Sequence, residues 1–229
     1  MIKLEIIYQD SYLVIINKPH GLLVHRSKIA DDTSEFALQI LRDQLDQHVY
    51  PCHRIDRKTS GLLVFALSKE VEIACQKLFQ EGLVDKSYLA ILRGFAPEEG
   101  IIDYPLKKEN GQLQEAITKF KRLQKVEIPW ALGNHATSRY SLVRAYPQTG
   151  RMHQIRKHFA HIFHPIIGDR PHGCNKQNRF FKQIHQLDSM CLHAEYLSFK
   201  HPISEEIIKV YAPLQAEFNA YLKLMGLEL

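Results

Sequence analysis

Cysteine, tryptophan and long apolar runs are all scarce in this chain of 229 residues. The four cysteines, Cys52, Cys75, Cys174 and Cys191, lie far apart and form no C-x-x-C pair. They read as reduced thiols of a cytoplasmic protein, mostly core filler. No apolar run approaches the ~20 residues that span a bilayer, so no membrane association is expected. The start, Met1-Ile2-Lys3-Leu4-Glu5, lacks a signal-peptide pattern. Internal repeats, low-complexity tracts and linkers long enough to split domains are absent, so residues 1–229 are expected to form a single domain. Neither charge sign dominates. Thirty basic residues against 25 acidic ones give a net charge of +5, which permits a polyanionic partner without demanding one.

An apolar fraction of 45% and a charged fraction of 24% are those of an ordinary globular protein, long enough to bury a core without disulfides. Residues 4–8 and 12–16 are short apolar runs around Gln9-Asp10-Ser11, which predicts a hairpin. Thr33-Ser34-Glu35-Phe36 carries an N-cap signal for a helix to about Leu45. Ser68 is placed to cap a second helix, with Glu70 and Glu72 in its first turn. Strands are expected at 62–67, 88–92, 116–121, 140–145, 192–199 and 206–211. Residues 125–137, with the only tryptophan at Trp130, read as a loop or hairpin insertion, and 168–187 as a long polar loop. Helices are expected at 152–161 and after Pro213. Strands joined by short turns favour an α+β fold with an antiparallel sheet over a doubly wound one.

The segment from His53 to Gly61 sets one carboxylate, Asp56, between Arg54 and Arg57, next to a Thr59-Ser60-Gly61 turn and ahead of a buried strand. A rigid element behind a polar loop is how a fold presents a reactive side chain, although a surface ion-pair cluster would have the same composition. Flanking cations favour the charged form, so Asp56 is expected to be ionised at neutral pH. Lys86-Ser87-Tyr88 opens a later strand. Gly150-Arg151-Met152-His153-Gln154-Ile155-Arg156 opens a later helix, and His164-Pro165-Ile166-Ile167-Gly168-Asp169 follows it.

In this order, these motifs resemble the RluA family of pseudouridine synthases, over nearly the whole chain from Asn17-Lys18-Pro19 to Tyr211-Ala212-Pro213-Leu214. The resemblance implies a long mixed, mainly antiparallel sheet with flanking helices and a central active-site cleft. It gives Asp56 as the catalytic carboxylate, Tyr88 as the residue stacked on the target uracil, and Ile155 with Arg156 completing the pocket. Arg54 is expected to take the place of the flipped base, with Arg57 and Arg151 as further substrate contacts. Arg156 is the best candidate to pair with Asp56. No separate N-terminal RNA-binding domain is expected. Residues 43–61 and 164–179 resemble a tRNA-modifying branch that acts at position 65, in the T arm near the acceptor stem. Ile55 stands where Leu is usual, and Ser204-Glu205 where Thr-Gly is commoner.

Isomerising uridine breaks the bond from C1′ to N1 and rejoins C1′ to C5, so one carboxylate suffices and no cofactor is required. Asp56 would either attack the sugar or remove a ribose proton. Tyr88 offers a stacking face and a phenol near the C5 proton. His153, His158, His161 and His164 fall within twelve residues but carry no H-E-x-x-H pattern, and no metal is expected. From Arg139 to Lys182 nine basic residues face one acidic residue, Asp169, a stretch that suits a phosphate backbone or a solvated face. The expected partner is tRNA, with no obligatory protein partner. A synthase acting on ribosomal RNA, an RNA-binding module without catalysis and a His-metal hydrolase are the alternatives.

Overall fold

Two central strands buried on both faces explain the apolar runs near the start of the chain. The computed structural model describes residues 3–25 and 35–229. They form two compact units, Met1–Lys86 with Ala194–Gln215, and Ser87–His193 with Ala216–Leu229. The first unit begins with β1 (Glu5–Gln9), β2 (Leu13–Lys18), α1 (Ala37–Leu45), β3 (Tyr50–Pro51), β4 (Ser60–Ala66) and α2 (Lys69–Gln80). β5 (Asp85–Arg93) leads into the second, which holds β6 (Glu99–Asp103), β7 (Leu106–Lys107), β8 (Leu113–Gln114), β9 (Ile117–Ile128), β10 (Ser138–Pro147), α3 (Gln154–His161) and α4 (Asn175–His185). β11 (Leu192–Lys200) carries the chain back to the first unit, β12 (Ile207–Tyr211) follows, and α5 (Ala216–Met225) belongs to the second.

In the first unit β2 pairs with both β1 and β4 in antiparallel register, and β11 pairs antiparallel with β12. Side chains alternate across a strand, and β2 and β4 send both sets into apolar layers. Leu13, Ile15, Leu62 and Val64 pack with Val71 and Cys75 of α2. Val14, Ile16, Leu63 and Phe65 pack with Ala37 and Leu41 of α1. Burial on both faces is why these runs are continuously apolar instead of alternating. The oxygen of Ser68 accepts from Val71 N at 3.3 Å, capping α2 as its sequence predicts. α1 ends at Leu45 as expected, but its N-cap is Phe36 with no side-chain cap bond. Thr33 and Ser34 lie outside the described residues.

In the second unit β10 pairs antiparallel with β5 and β9, and β6 with β9. The α+β class holds, with antiparallel ladders throughout these pairings. Two expectations fail here. β9 runs on to Ile128, so the insertion is the shorter segment 129–137. The polar stretch 168–187 contains α4, which buries only Gln177 and Phe181 and whose N-cap, Cys174, makes no side-chain cap bond. With a narrow apolar stripe and no capping residue, a helix leaves little trace in sequence. α4 forms because Phe181 packs edge-on against Trp130 and Tyr140 and tilted against Tyr221.

Gly61, the second residue of β4, has φ 105°, and a Cβ there would lie 2.6 Å from Ala194 N and closer still to its carbonyl oxygen. Two strands of the first unit approach here as only glycine allows. Gly61→Ala is expected to destabilise the protein by roughly 2–4 kcal/mol, combining backbone strain with overpacking. Urea unfolding measures this, and a loss below about 1 kcal/mol would show that the strands part without cost.

Candidate active site

Asp56 lies half-buried in the loop between β3 and β4, in a turn closed by Thr59 N donating to Asp56 O at 3.0 Å. Three side chains hold this loop from beneath. Lys18, at the end of β2, is fully buried. Its ammonium donates to the carbonyls of Pro19 at 2.9 Å, Leu22 at 2.8 Å and Arg57 at 3.1 Å. Burial pushes the Lys18 pKa down to about 7, against the pull of the Asp56 charge. Arg57 closes the same clamp. Its Nε donates to Gly21 O at 3.0 Å, and its carbonyl accepts from Gly21 N at 2.9 Å. This predicted substrate contact therefore spends part of its guanidinium on the loop itself. Arg54 is exposed.

The third support is His53. Its Nε2 accepts from Val64 N of β4 at 3.1 Å, and its ring stacks on Phe79 at 4.2 Å. A ring nitrogen that accepts is unprotonated, and burial, with the nearby Lys86 charge, pushes the His53 pKa down to about 3. The histidine of this loop thus positions the aspartate and stays neutral.

In the second unit Tyr88 sits half-buried on β5, opposite Ala145 of β10. Ile155 and Arg156 lie buried in the first turn of α3. The Arg156 guanidinium grips Asp169 with both arms, Nε to Oδ2 at 2.9 Å and Nη2 to Oδ1 at 2.8 Å. Both side chains are buried, at 6% and 1% exposure, so the ion pair is desolvated and geometrically fixed. Asp169 is anchored in turn: Asn178 Nδ2 donates to its carbonyl at 2.7 Å, and Gly168 N donates to Asn178 Oδ1 at 2.9 Å. Sequence reasoning placed Asp169 within a motif but did not give it this role.

Gln154 is a second omission. Its Oε1 accepts from the Thr149 hydroxyl at 2.7 Å and from Arg151 N at 3.0 Å, while its Nε2 donates to Ile117 O and Thr118 Oγ1, both at 3.0 Å. One amide uses its full bonding capacity to tie the turn before α3 to β9. Arg151 is exposed and donates from Nε to Glu115 O at 3.0 Å. The histidines are engaged elsewhere. His158 bridges Thr118 Oγ1 and Tyr104 O, His161 stacks on Tyr104, and His153 Nδ1 lies 3.0 Å from His172 Nε2. Much of the basic stretch is also paired. Arg139 meets Glu127, and Arg170 and Lys182 share Asp188.

A family model described as RNA pseudouridylate synthase matches residues 12–161, well over half of the chain. The chain belongs to that family. It is 46% identical over 224 residues to tRNA pseudouridine synthase C of Vibrio parahaemolyticus, covering 93% of this chain and 91% of the relative. It is 44% identical over 236 residues to the protein of the same name from Haemophilus influenzae, covering 98% and 99%. Among solved structures, human RNA Pseudouridylate Synthase Domain Containing 4 aligns with a TM-score of 0.75 at 26% identity, over 98% of this chain and 94% of that one. Human RNA Pseudouridylate Synthase Domain Containing 1 shares the fold, with a TM-score of 0.74 at 24% identity over 93% and 84%. The enzyme is a pseudouridine synthase, an isomerase, as the motif order implies.

Two measurements follow from this geometry. Asp169→Asn removes the buried carboxylate that Arg156 grips with two hydrogen bonds, and is expected to cost roughly 3–5 kcal/mol of stability, read by urea unfolding. A cost near zero would mean that Arg156 finds another carboxylate. The second concerns pH. His53 stays neutral when folded but gains a proton near its ordinary value of 6.5 when unfolded. Stability must therefore fall as pH drops from about 6.5 towards 3, because the unfolded chain binds more protons. His53→Gln should lose less stability between pH 7 and pH 4.5 than the wild type. Equal losses would assign the acid sensitivity to other groups.

Proposed function

We propose that this chain converts one uridine of tRNA to pseudouridine, in the T arm next to the acceptor stem at position 65. The observation that carries this reading is its similarity, along nearly the full length of both chains, to curated tRNA pseudouridine synthases C. Asp56 is the carboxylate that acts on the ribose, by attack at C1′ or by removal of a ribose proton. The bond from C1′ to N1 breaks, the uracil turns, C1′ joins to C5, the C5 proton leaves and N1 ends protonated. Atoms are conserved, so no co-reactant enters.

Tyr88 stacks on the uracil and offers its phenol to the departing C5 proton. Ile155 forms an apolar floor. Arg156, fixed by Asp169, presents an immobile guanidinium to the nucleotide, which lowers the entropic cost of each turnover. Arg54 fills the space of the flipped base, and Arg57 and Arg151 contact the backbone. A uridine paired in an A-form helix is not readable through the deep major groove, so recognition rests on backbone shape and on flipping. The chain acts as a single catalytic domain, in the cytoplasm, without a cofactor or an obligatory protein partner.

Asp56→Asn is expected to lower turnover at least a hundredfold, while tRNA affinity stays within about tenfold because phosphate contacts dominate it. The assay is incubation with unmodified tRNA transcripts and ribosomal RNA fragments, followed by chemical labelling and primer extension. Activity above a few per cent would remove Asp56 from the chemistry. Modification of ribosomal fragments alone would replace the substrate.

A further inference from the structure

The second unit contains a cavity of about 490 Å³ that none of the proposed catalytic residues lines. Its walls come from the segment between β9 and β10, the start of α4, the end of β5 and the turn after α3. Arg93, Arg139 and Lys176 face it together with His135 and His164, and no carboxylate is among its lining residues. Arg139 is partly neutralised by Glu127 outside the cavity, at 3.2 Å. Arg93 and Lys176 have no ion pair among the described residues. Unneutralised cations gathered from separate segments around a concave, solvent-open wall favour an anion at that point.

Phe163 adds a second kind of contact. It is 86% exposed, and its φ of 63° puts it in the left-handed position that follows α3. Its amide closes the helix end on Ala160 O at 3.0 Å, a position where glycine is the residue without strain. A large aromatic side chain here opposes both local backbone preference and burial, yet it forms a flat face at the edge of the cationic cavity. Gly133, at φ 70°, has no Cβ, which leaves room for the Lys176 ammonium against its backbone.

We propose that this cavity is a second RNA contact, holding a phosphodiester of the substrate between Arg93 and Lys176 with an adjacent base against Phe163. The inference rests on the reading of the substrate as tRNA. Its dimensions fall within the range of small-ligand pockets, enough for one nucleotide. The contact orients the RNA away from the chemical step, so it acts on affinity and leaves turnover alone.

The test measures tRNA affinity against salt, with kcat and KM, for the wild type, an Arg93→Gln/Lys176→Gln double variant and Phe163→Gly. The double variant should reduce the slope of log affinity against log salt by about one, for the single phosphate no longer neutralised, and raise KM about tenfold with kcat within twofold. Phe163→Gly should raise the melting temperature by a few degrees while weakening RNA binding at least fivefold, opposite signs that a purely structural role cannot produce. Unchanged salt slopes and affinities, with a wild type that modifies tRNA normally, would overturn the cavity. A wild type that neither binds nor modifies tRNA would overturn the substrate reading, and the cavity with it.

Discussion

A buried ammonium holds the aspartate loop in place. Lys18 is fully buried, so its three donors require three acceptors, and the carbonyls of Pro19, Leu22 and Arg57 supply them. That requirement joins the end of β2 to the loop carrying Asp56, because breaking either segment away would strand a charge in the core. Arg57 and Gly21 reinforce the same junction through their backbones and one guanidinium nitrogen. The carboxylate is therefore presented by a scaffold whose rigidity comes from electrostatics as much as from packing.

The second unit solves the same problem with the opposite arrangement. There the cation Arg156 is the proposed functional group, and the buried carboxylate of Asp169 is its support. Asp169 is fixed by Asn178, and the turn leading to Arg156 is fixed by Gln154. The Asp56 loop is held by the buried, hydrogen-bonded Lys18, and Arg156 by the buried, hydrogen-bonded Asp169. Buried polar networks of this kind rigidify when every member is paired, and lose most when one is removed.

The two central strands set where such networks can exist. β2 and β4 have apolar layers on both faces, so chemistry is confined to the loops at their ends. Thr59-Ser60-Gly61 lies at that boundary, where a side chain on Gly61 would collide with Ala194. The loop motif thus joins a polar, functional half to a half dictated by strand packing.

The sequence by itself determined the α+β class, most of the strands, the Ser68 cap and the family, because periodicity, capping and ordered motifs are local properties of the chain. Asp56, Tyr88 and Arg156 were legible as candidates for the same reason. Only the tertiary structure decided that Lys18 and His53 brace the Asp56 loop, that Asp169 grips Arg156, and that Gln154 spans a turn and a strand. These partners are distant in sequence or lie on different elements, and no periodicity encodes them. α4 escaped sequence reasoning likewise, because its formation depends on Phe181 meeting Trp130, Tyr140 and Tyr221, residues that only the folded chain brings to it.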